Sequence, residues 1–166
     1  MTFPLHDFWH EAGDKVRAEQ HEPLPEGRAE LWKEFFNGEH NQKFFAGVVG
    51  LVIEDVRADY ARMRLPYRPE LNQPAGVVHG GAIATLIDTV VVPAVASPYD
   101  QVPVMLTIDM QLRYLSAARE RDLVAEGWIT RRGRSTVFCQ AEVRDTEGEL
   151  IAEGWHVYRV IPAKNG

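Results

Sequence analysis

At 166 residues, 45% hydrophobic and 25% charged, the chain has the size and composition of one soluble domain with a substantial core. Its formal net charge of −6 argues against a nucleic-acid binder, which needs a basic excess. Cys139 stands alone, so neither an internal disulfide nor a cysteine zinc site can form.

Residues 1–40 differ from the rest. They hold four of the six histidines and a break at EPLPEG, residues 22–27. Two short helices are expected there, over residues 7–19 and 27–36, divided by a proline-containing loop. His6 and His10 sit four apart beside Asp7 and Glu11, a spacing that could hold a metal on one helix face. No third ligand is near in sequence, so a solvated amphipathic helix is preferred and no metal is assigned. The first fifteen residues lack the cationic start and apolar stretch of a secretory signal, and no apolar run reaches transmembrane length. A cytoplasmic protein with no membrane partner is expected. The chain divides into an N-terminal helical extension, 1–40, and a main domain, 41–166.

From Phe45 the pattern turns to strands. VVGLVIEDV and DYARMRLPYR read as two, close enough to pair as a hairpin. A helical stretch follows, and then the cleanest alternation in the chain. Val104, Leu106, Ile108, Met110, Leu112 and Tyr114 are apolar, and Thr107, Asp109, Gln111 and Arg113 lie between them, which reads as a half-buried strand. DLVAEGWITRR, STVFCQAEV and LIAEGWHVYRVI complete the set, with hairpin turns at GR and RDTEGE. The echo of VAEGW at 124–128 by IAEGW at 151–155 marks two similar strands in one antiparallel sheet. A lone apolar helix must be buried, and an antiparallel sheet covers it with one face. The expected class is α+β, an antiparallel sheet wrapped around one long central helix.

NQPAGVVHGGAIATLID, residues 72–88, carries the chemistry. Gly80 and Gly81 suit a helix start, where backbone N–H groups lack acceptors and the macrodipole adds positive charge. Glycine lets a ligand atom approach that backbone, as a phosphate or a carbonyl oxygen gaining charge would. A tight turn packed on a strand is the plainer alternative. Asp88 sits in apolar surroundings, with Ala84, Thr85, Val91 and Val92 at helical spacing and no partner among them. A buried aspartate needs a partner close in space or a water-lined pocket. Such a carboxylate is a candidate general base or nucleophile, against a structural role bonding backbone. His79 and Asp88 are nine residues apart, half a turn out of phase and roughly 13 Å along the axis at about 1.5 Å per residue. They cannot form a dyad in one helix, so any cooperation requires the helix start of another subunit. TVVVPAVAS is poor helical material, and a kink or early termination is expected near Pro93.

QPAGVVHGGAIATLID, with the strand order around it, resembles the hotdog-fold acyl-CoA thioesterases, particularly the phenylacetate-pathway type. The match spans roughly residues 45–161 and rests on an amide, then proline and glycine, then HGG, then an acid nine positions after the histidine. The resemblance implies a hotdog fold with extra N-terminal helices, an acyl-CoA substrate, no cofactor, and a homodimer or homotetramer with shared sites. It assigns Asp88 as nucleophile or as base for water. It makes the Gly80 N–H the polariser of the thioester carbonyl, with Gly81 beside it in the substrate site. His79 becomes an organiser of the loop and thiolate side, and Thr107 a hydroxyl that orients water. The positioning amide is Gln73 without a gap, or Asn72 with one inserted residue. On the alternation above, Thr107 lies on the polar face.

Thioester hydrolysis needs a carbonyl activator, a carboxylate and a stabilised thiolate, all of which this set supplies without metal. No G-x-S-x-G, phosphate-loop lysine, G-x-G-x-x-G or H-E-x-x-H occurs. A non-catalytic acyl-CoA-binding module and a hydratase or dehydratase are the alternatives. Arg131, Arg132 and Arg134 form a basic cluster suited to the phosphates of coenzyme A, or else a solvated turn. His156 reads as a packed or rim residue.

Overall fold

The computed structural model describes residues 16–161 and 163. In chain order it contains α1 (Val16–Glu19), α2 (Arg28–Asn37), a 3₁₀ turn (Glu39–Lys43) and α3 (Phe45–Val49). The hairpin β1 (Val52–Arg57) and β2 (Tyr60–Leu65) leads through a short 3₁₀ turn to α4 (Gly80–Ala96). Strands β3 (Val104–Tyr114), β4 (Leu123–Arg132), β5 (Thr136–Asp145) and β6 (Leu150–Ile161) finish the fold. Of the expected helix over residues 7–19, only Val16–Glu19 falls among the described residues, and His6 and His10 lie outside them.

The six strands form one antiparallel sheet in the order β1-β2-β4-β5-β6-β3, and α4 lies on its inner face. The echoed glycines explain how it gets there. Gly127 pairs with Ala141, which pairs with Gly154, so three small residues form a row across the sheet. A Cβ on Gly127 would stand 2.9 Å from the Val90 and Val91 side chains, and one on Gly154 would stand 2.7 Å from Ile87. The row is a trough into which the apolar side of α4 settles, with Leu86, Ile87, Val90 and Val91 fully buried.

Three local expectations are corrected. Residues 45–49 are not strand. They form α3, which Gly50 ends in the left-handed conformation at φ 89° before β1 begins. The helix does not stop at Pro93 but runs on to Ala96. Arg132 donates to the carbonyls of Val95 at 3.0 Å and Ala94 at 3.2 Å, and Ser97 Oγ donates to Ala94 at 2.9 Å. Burial of the apolar face and these bonds at the end outweigh the hydrogen bond that Pro93 removes. Strand β3 is an edge strand rather than a half-buried one, and Val104, Leu106 and Ile108 are each more than half exposed.

The alternation also breaks within β3. Thr107 pairs with Tyr158 and Asp109 with Val157, leaving Ile108 as the extra residue of a bulge. A bulge switches the faces. Met105 and Thr107 therefore share the helix-facing side with Met110, Leu112 and Tyr114, and Val104 and Leu106 point outward.

Candidate active site

Asp88 is half-buried on the face of α4 nearest β3, and its partners come from the sheet. Tyr158 of β6 donates to Asp88 Oδ1 at 2.7 Å, and Thr107 of β3 donates to the same oxygen at 3.1 Å. The Tyr158 hydroxyl also lies 2.9 Å from the Asp88 carbonyl. Two hydroxyls thus anchor Oδ1, while Oδ2 accepts no bond among the described residues. Burial, and then the Asp88 charge, push the Tyr158 phenol far above its ordinary value, so it stays a donor. Thr107 is on the Asp88 side, not the polar face expected from alternation, because the bulge at Ile108 reverses the phase.

His156 lies two residues before Tyr158, only 1% exposed, and neither ring nitrogen has a partner among the described residues. Burial holds its pKa below the ordinary histidine value, although Asp88 and Asp109 pull the other way, so the ring is neutral at pH 7. It is packed rather than at a rim. Burial pushes the Cys139 thiol on the neighbouring strand up to about 12, which removes it as a thiolate nucleophile.

The helix start forms a second cluster. His79 is the N-cap of α4, and its Nδ1 accepts the Gly81 N–H at 2.8 Å. That bond places the proton of the neutral ring on Nε2 and occupies the Gly81 N–H, which is therefore not open to a substrate. Each glycine of HGG has its own steric reason. A Cβ on Gly81 would lie 2.9 Å from His79 Nδ1, and one on Gly80 would lie 3.0 Å from the Tyr114 hydroxyl. Tyr114 packs over Gly80 and donates to its carbonyl at 2.8 Å. The Gly80 N–H has no acceptor among the described residues.

Gln73 and Asn72 part company here. Gln73, Gly80, Ile83 and Tyr114 line one open cleft of about 350 Å³. Asn72 instead donates to the Tyr67 hydroxyl at 2.9 Å and does not line that cleft. The turn between them and the helix closes through the Gln73 N–H to Val77 O bond at 2.8 Å.

The arginine cluster divides as well. Arg132 is committed to the end of α4 and to Asp59, 2.5 Å away, so it is a helix-capping residue and not a free phosphate contact. Arg131 and Arg134 are exposed at the β4–β5 hairpin. Tyr158 and Tyr114 are the two site residues that sequence reasoning missed. Tyr158 falls at every second position with Ala152, Gly154, His156 and Val160, so a polar group at an inward position was the available signal.

The structure of one chain therefore joins Asp88, Thr107 and Tyr158 in one cluster, and Gln73, His79, Gly80 and Tyr114 in another. It does not join the two.

Comparison with known proteins gives the family. The thioesterase superfamily model matches residues 75–152, which include both clusters except Tyr158 and Gln73. "Putative esterase VNG_1336C" of Halobacterium salinarum is 35% identical over 124 residues, 68% of this chain and 82% of that protein. Acyl-coenzyme A thioesterase 13 of Mus musculus is 31% identical over 83 residues, 49% of this chain and 59% of that one. The E. coli PaaI protein from the phenylacetic acid degradation operon superposes with a TM-score of 0.68 at 15% identity, covering 78% of this chain and 89% of that one, a likeness of fold. The chain belongs to the thioesterase superfamily, and its fold is the hotdog fold of that family.

Proposed function

We propose that the protein is an acyl-CoA thioesterase that hydrolyses the thioester to a free acid and coenzyme A, in a site shared by two chains. The observation that carries this reading is Asp88, whose Oδ1 is held by Tyr158 and Thr107 while Oδ2 accepts no bond among the described residues. A carboxylate fixed through one oxygen presents the other to a water or to the thioester carbon. If Oδ2 acts as base, it takes a proton as water adds to the carbonyl, and the C–S bond then breaks to release the thiolate. The Gly80 N–H supports the developing oxyanion, Gln73 positions carbonyl or water, and His79 Nε2–H faces the leaving sulfur. Membership of the superfamily and the mouse acyl-coenzyme A thioesterase relative support the substrate class.

The placement of the clusters along β3 supports sharing. Thr107 belongs to the Asp88 cluster and Tyr114 to the Gly80 cluster, seven residues along the same strand and so about 20 Å away. The free edge of β3 can pair with a second copy, antiparallel, about a two-fold axis at Gln111, with the bulged Ile108 left out of the register. Thr107 then stands opposite Tyr114 of the partner subunit, roughly 5 Å off, and the symmetry builds two complete sites.

Asp88→Asn is expected to lower hydrolysis by about 10²–10⁴-fold with the melting temperature unchanged or slightly raised, because the change is nearly isosteric and removes a half-buried charge. Turnover of acyl-CoA thioesters together with calorimetry checks both, and near-wild-type turnover removes the catalytic assignment. Sharing is tested by co-expressing Asp88→Asn with Gln73→Ala. Purified mixed dimers should exceed both parent dimers, since one of their two sites combines the intact halves. Mixed dimers no better than either parent, with both parents dimeric and folded, count against sharing.

A further inference from the structure

We propose that α2 of the N-terminal segment forms a wall of the acyl pocket, and that the pocket takes an uncharged apolar acyl body larger than acetyl, of the medium-chain alkyl or arylalkyl class. This rests on the thioesterase reading above, which fixes where the thioester carbon lies.

Between α2, the end of α4 and the start of β3 lies an open cavity of about 440 Å³. That is within the range of about 300–1,000 Å³ over which small-molecule sites fall. Leu31, Trp32 and Phe35 of α2 line one side, and Val92 and Met105 line the other. The lining carries an aromatic group already in order, with Trp32 stacked on Phe36 at 6.1 Å and Phe35 edge-on to Phe36 at 5.2 Å. Leu31 is 65% exposed, a large apolar side chain left in water beside a concavity, and an apolar ligand there would take it out of water.

Its position relative to Asp88 selects the ligand. Val92 is four residues after Asp88, on the same helix face and about 6 Å further along the axis. Met105 is two residues before Thr107, on the same face of β3. The cavity thus begins one step beyond the two side chains that mark the reacting carbon, and any acyl group longer than acetyl extends toward it. Among the described residues, the charged groups on its lining are Arg28 and Asp100, paired at 3.1 Å. Arg28 also bonds the Tyr99 carbonyl, so this arginine ties α2 to the segment between α4 and β3. Arg28 thus already faces a carboxylate and a carbonyl, which disfavours an acyl group with a terminal carboxylate there.

The test compares kcat/KM for acetyl-, succinyl-, octanoyl- and phenylacetyl-CoA in the wild type and in Leu31→Glu, with calorimetric titration of octanoic acid as a readout independent of hydrolysis. Leu31 is a surface position, so the variant should fold, and an unshifted melting curve verifies it. Octanoyl- and phenylacetyl-CoA are expected to exceed acetyl- and succinyl-CoA at least tenfold. Leu31→Glu should cut the octanoyl-to-acetyl ratio at least tenfold and weaken octanoate binding. An octanoyl preference without a phenylacetyl one identifies an alkyl pocket, and the reverse an arylalkyl pocket, each within the proposed class. Equal turnover of acetyl and octanoyl thioesters, a preference for succinyl, or a ratio untouched by Leu31→Glu overturns the pocket and leaves the thioesterase reading standing. No hydrolysis of any thioester, with octanoate binding lost in Leu31→Glu, overturns the thioesterase reading and keeps the pocket. Neither hydrolysis nor octanoate binding overturns both.

Discussion

The two edges of the sheet are treated in opposite ways. At β1 the edge is closed. The side chain of Asn37 accepts from the Ile53 N–H at 2.8 Å and donates to the Ile53 carbonyl at 3.0 Å, as a neighbouring strand would. The Glu22 carbonyl accepts the Ala58 N–H at 2.9 Å, and Pro23 bridges to Arg57. The N-terminal segment then continues over the outer face, where Arg17 lies 3.5 Å over the Trp128 ring and donates to Glu142 at 3.1 Å. At β3 nothing among the described residues covers the edge, and Val104, Leu106 and Ile108 stay in water. An exposed apolar edge is an aggregation hazard that proteins blunt unless it is used. The difference supports the proposal that β3 is the edge a second copy pairs with. Both halves of the candidate site, at Thr107 and at Tyr114, are anchored on that strand.

Of the two edges, breaking the open one should have the larger effect. Leu106→Lys with Ile108→Lys places charge along β3 without touching the core. The expected result is a monomer by light scattering and a loss of hydrolysis of about 10²–10³-fold, the range for losing an oxyanion donor. A fully active monomer would end the shared-site proposal. The same operation at the closed edge should behave differently. Asn37→Ala removes two hydrogen bonds to Ile53 and should cost about 1–2 kcal/mol, a fall in melting temperature of roughly 2–8 °C, with oligomeric state and kcat retained. A loss of dimer in Asn37→Ala would show that both edges serve assembly.

A smaller effect is expected away from both edges. Replacing Arg131 and Arg134 with glutamine, and leaving Arg132 at its helix cap, should raise KM for an acyl-CoA about threefold and reduce its salt dependence. An unchanged KM across salt concentrations makes the hairpin a solvated turn. The smallest effect concerns His156, on the strand beside the open edge. Its folded-state pKa is depressed by burial, so the neutral ring contributes stability that is fully present above the unfolded value of 6.5. That contribution falls away as pH drops below 6.5 toward the folded value, where the unfolded chain binds the extra proton. Melting temperatures at pH 7.5 and 5.5 should differ by a few degrees less in His156→Phe than in the wild type. Equal differences in the two proteins would remove His156 as the source.

The sequence by itself determined the class of fold and the chemistry-bearing segment. Antiparallel strands around one apolar helix follow from periodicity and turn residues, which are local properties. HGG at a helix start and an aspartate without a helical partner are equally local, and so is the half-turn offset that separates His79 from Asp88. Even the echo of VAEGW and IAEGW was visible, although its meaning as a trough for α4 needed the sheet order. Tertiary structure alone decided the partners. Tyr158 is seventy residues from Asp88, and Tyr114 is thirty-four from Gly80, and nothing local reports such a meeting. The bulge at Ile108 was hidden because an alternating string reads the same with or without one unpaired residue, yet it turns Thr107 toward the carboxylate. Arg132 looked like its neighbours in a basic run and became a helix cap through a contact across the molecule. Local sequence sets which residues can do chemistry, and long-range pairing and burial set which of them meet, because those terms depend on positions brought together only when the chain is folded.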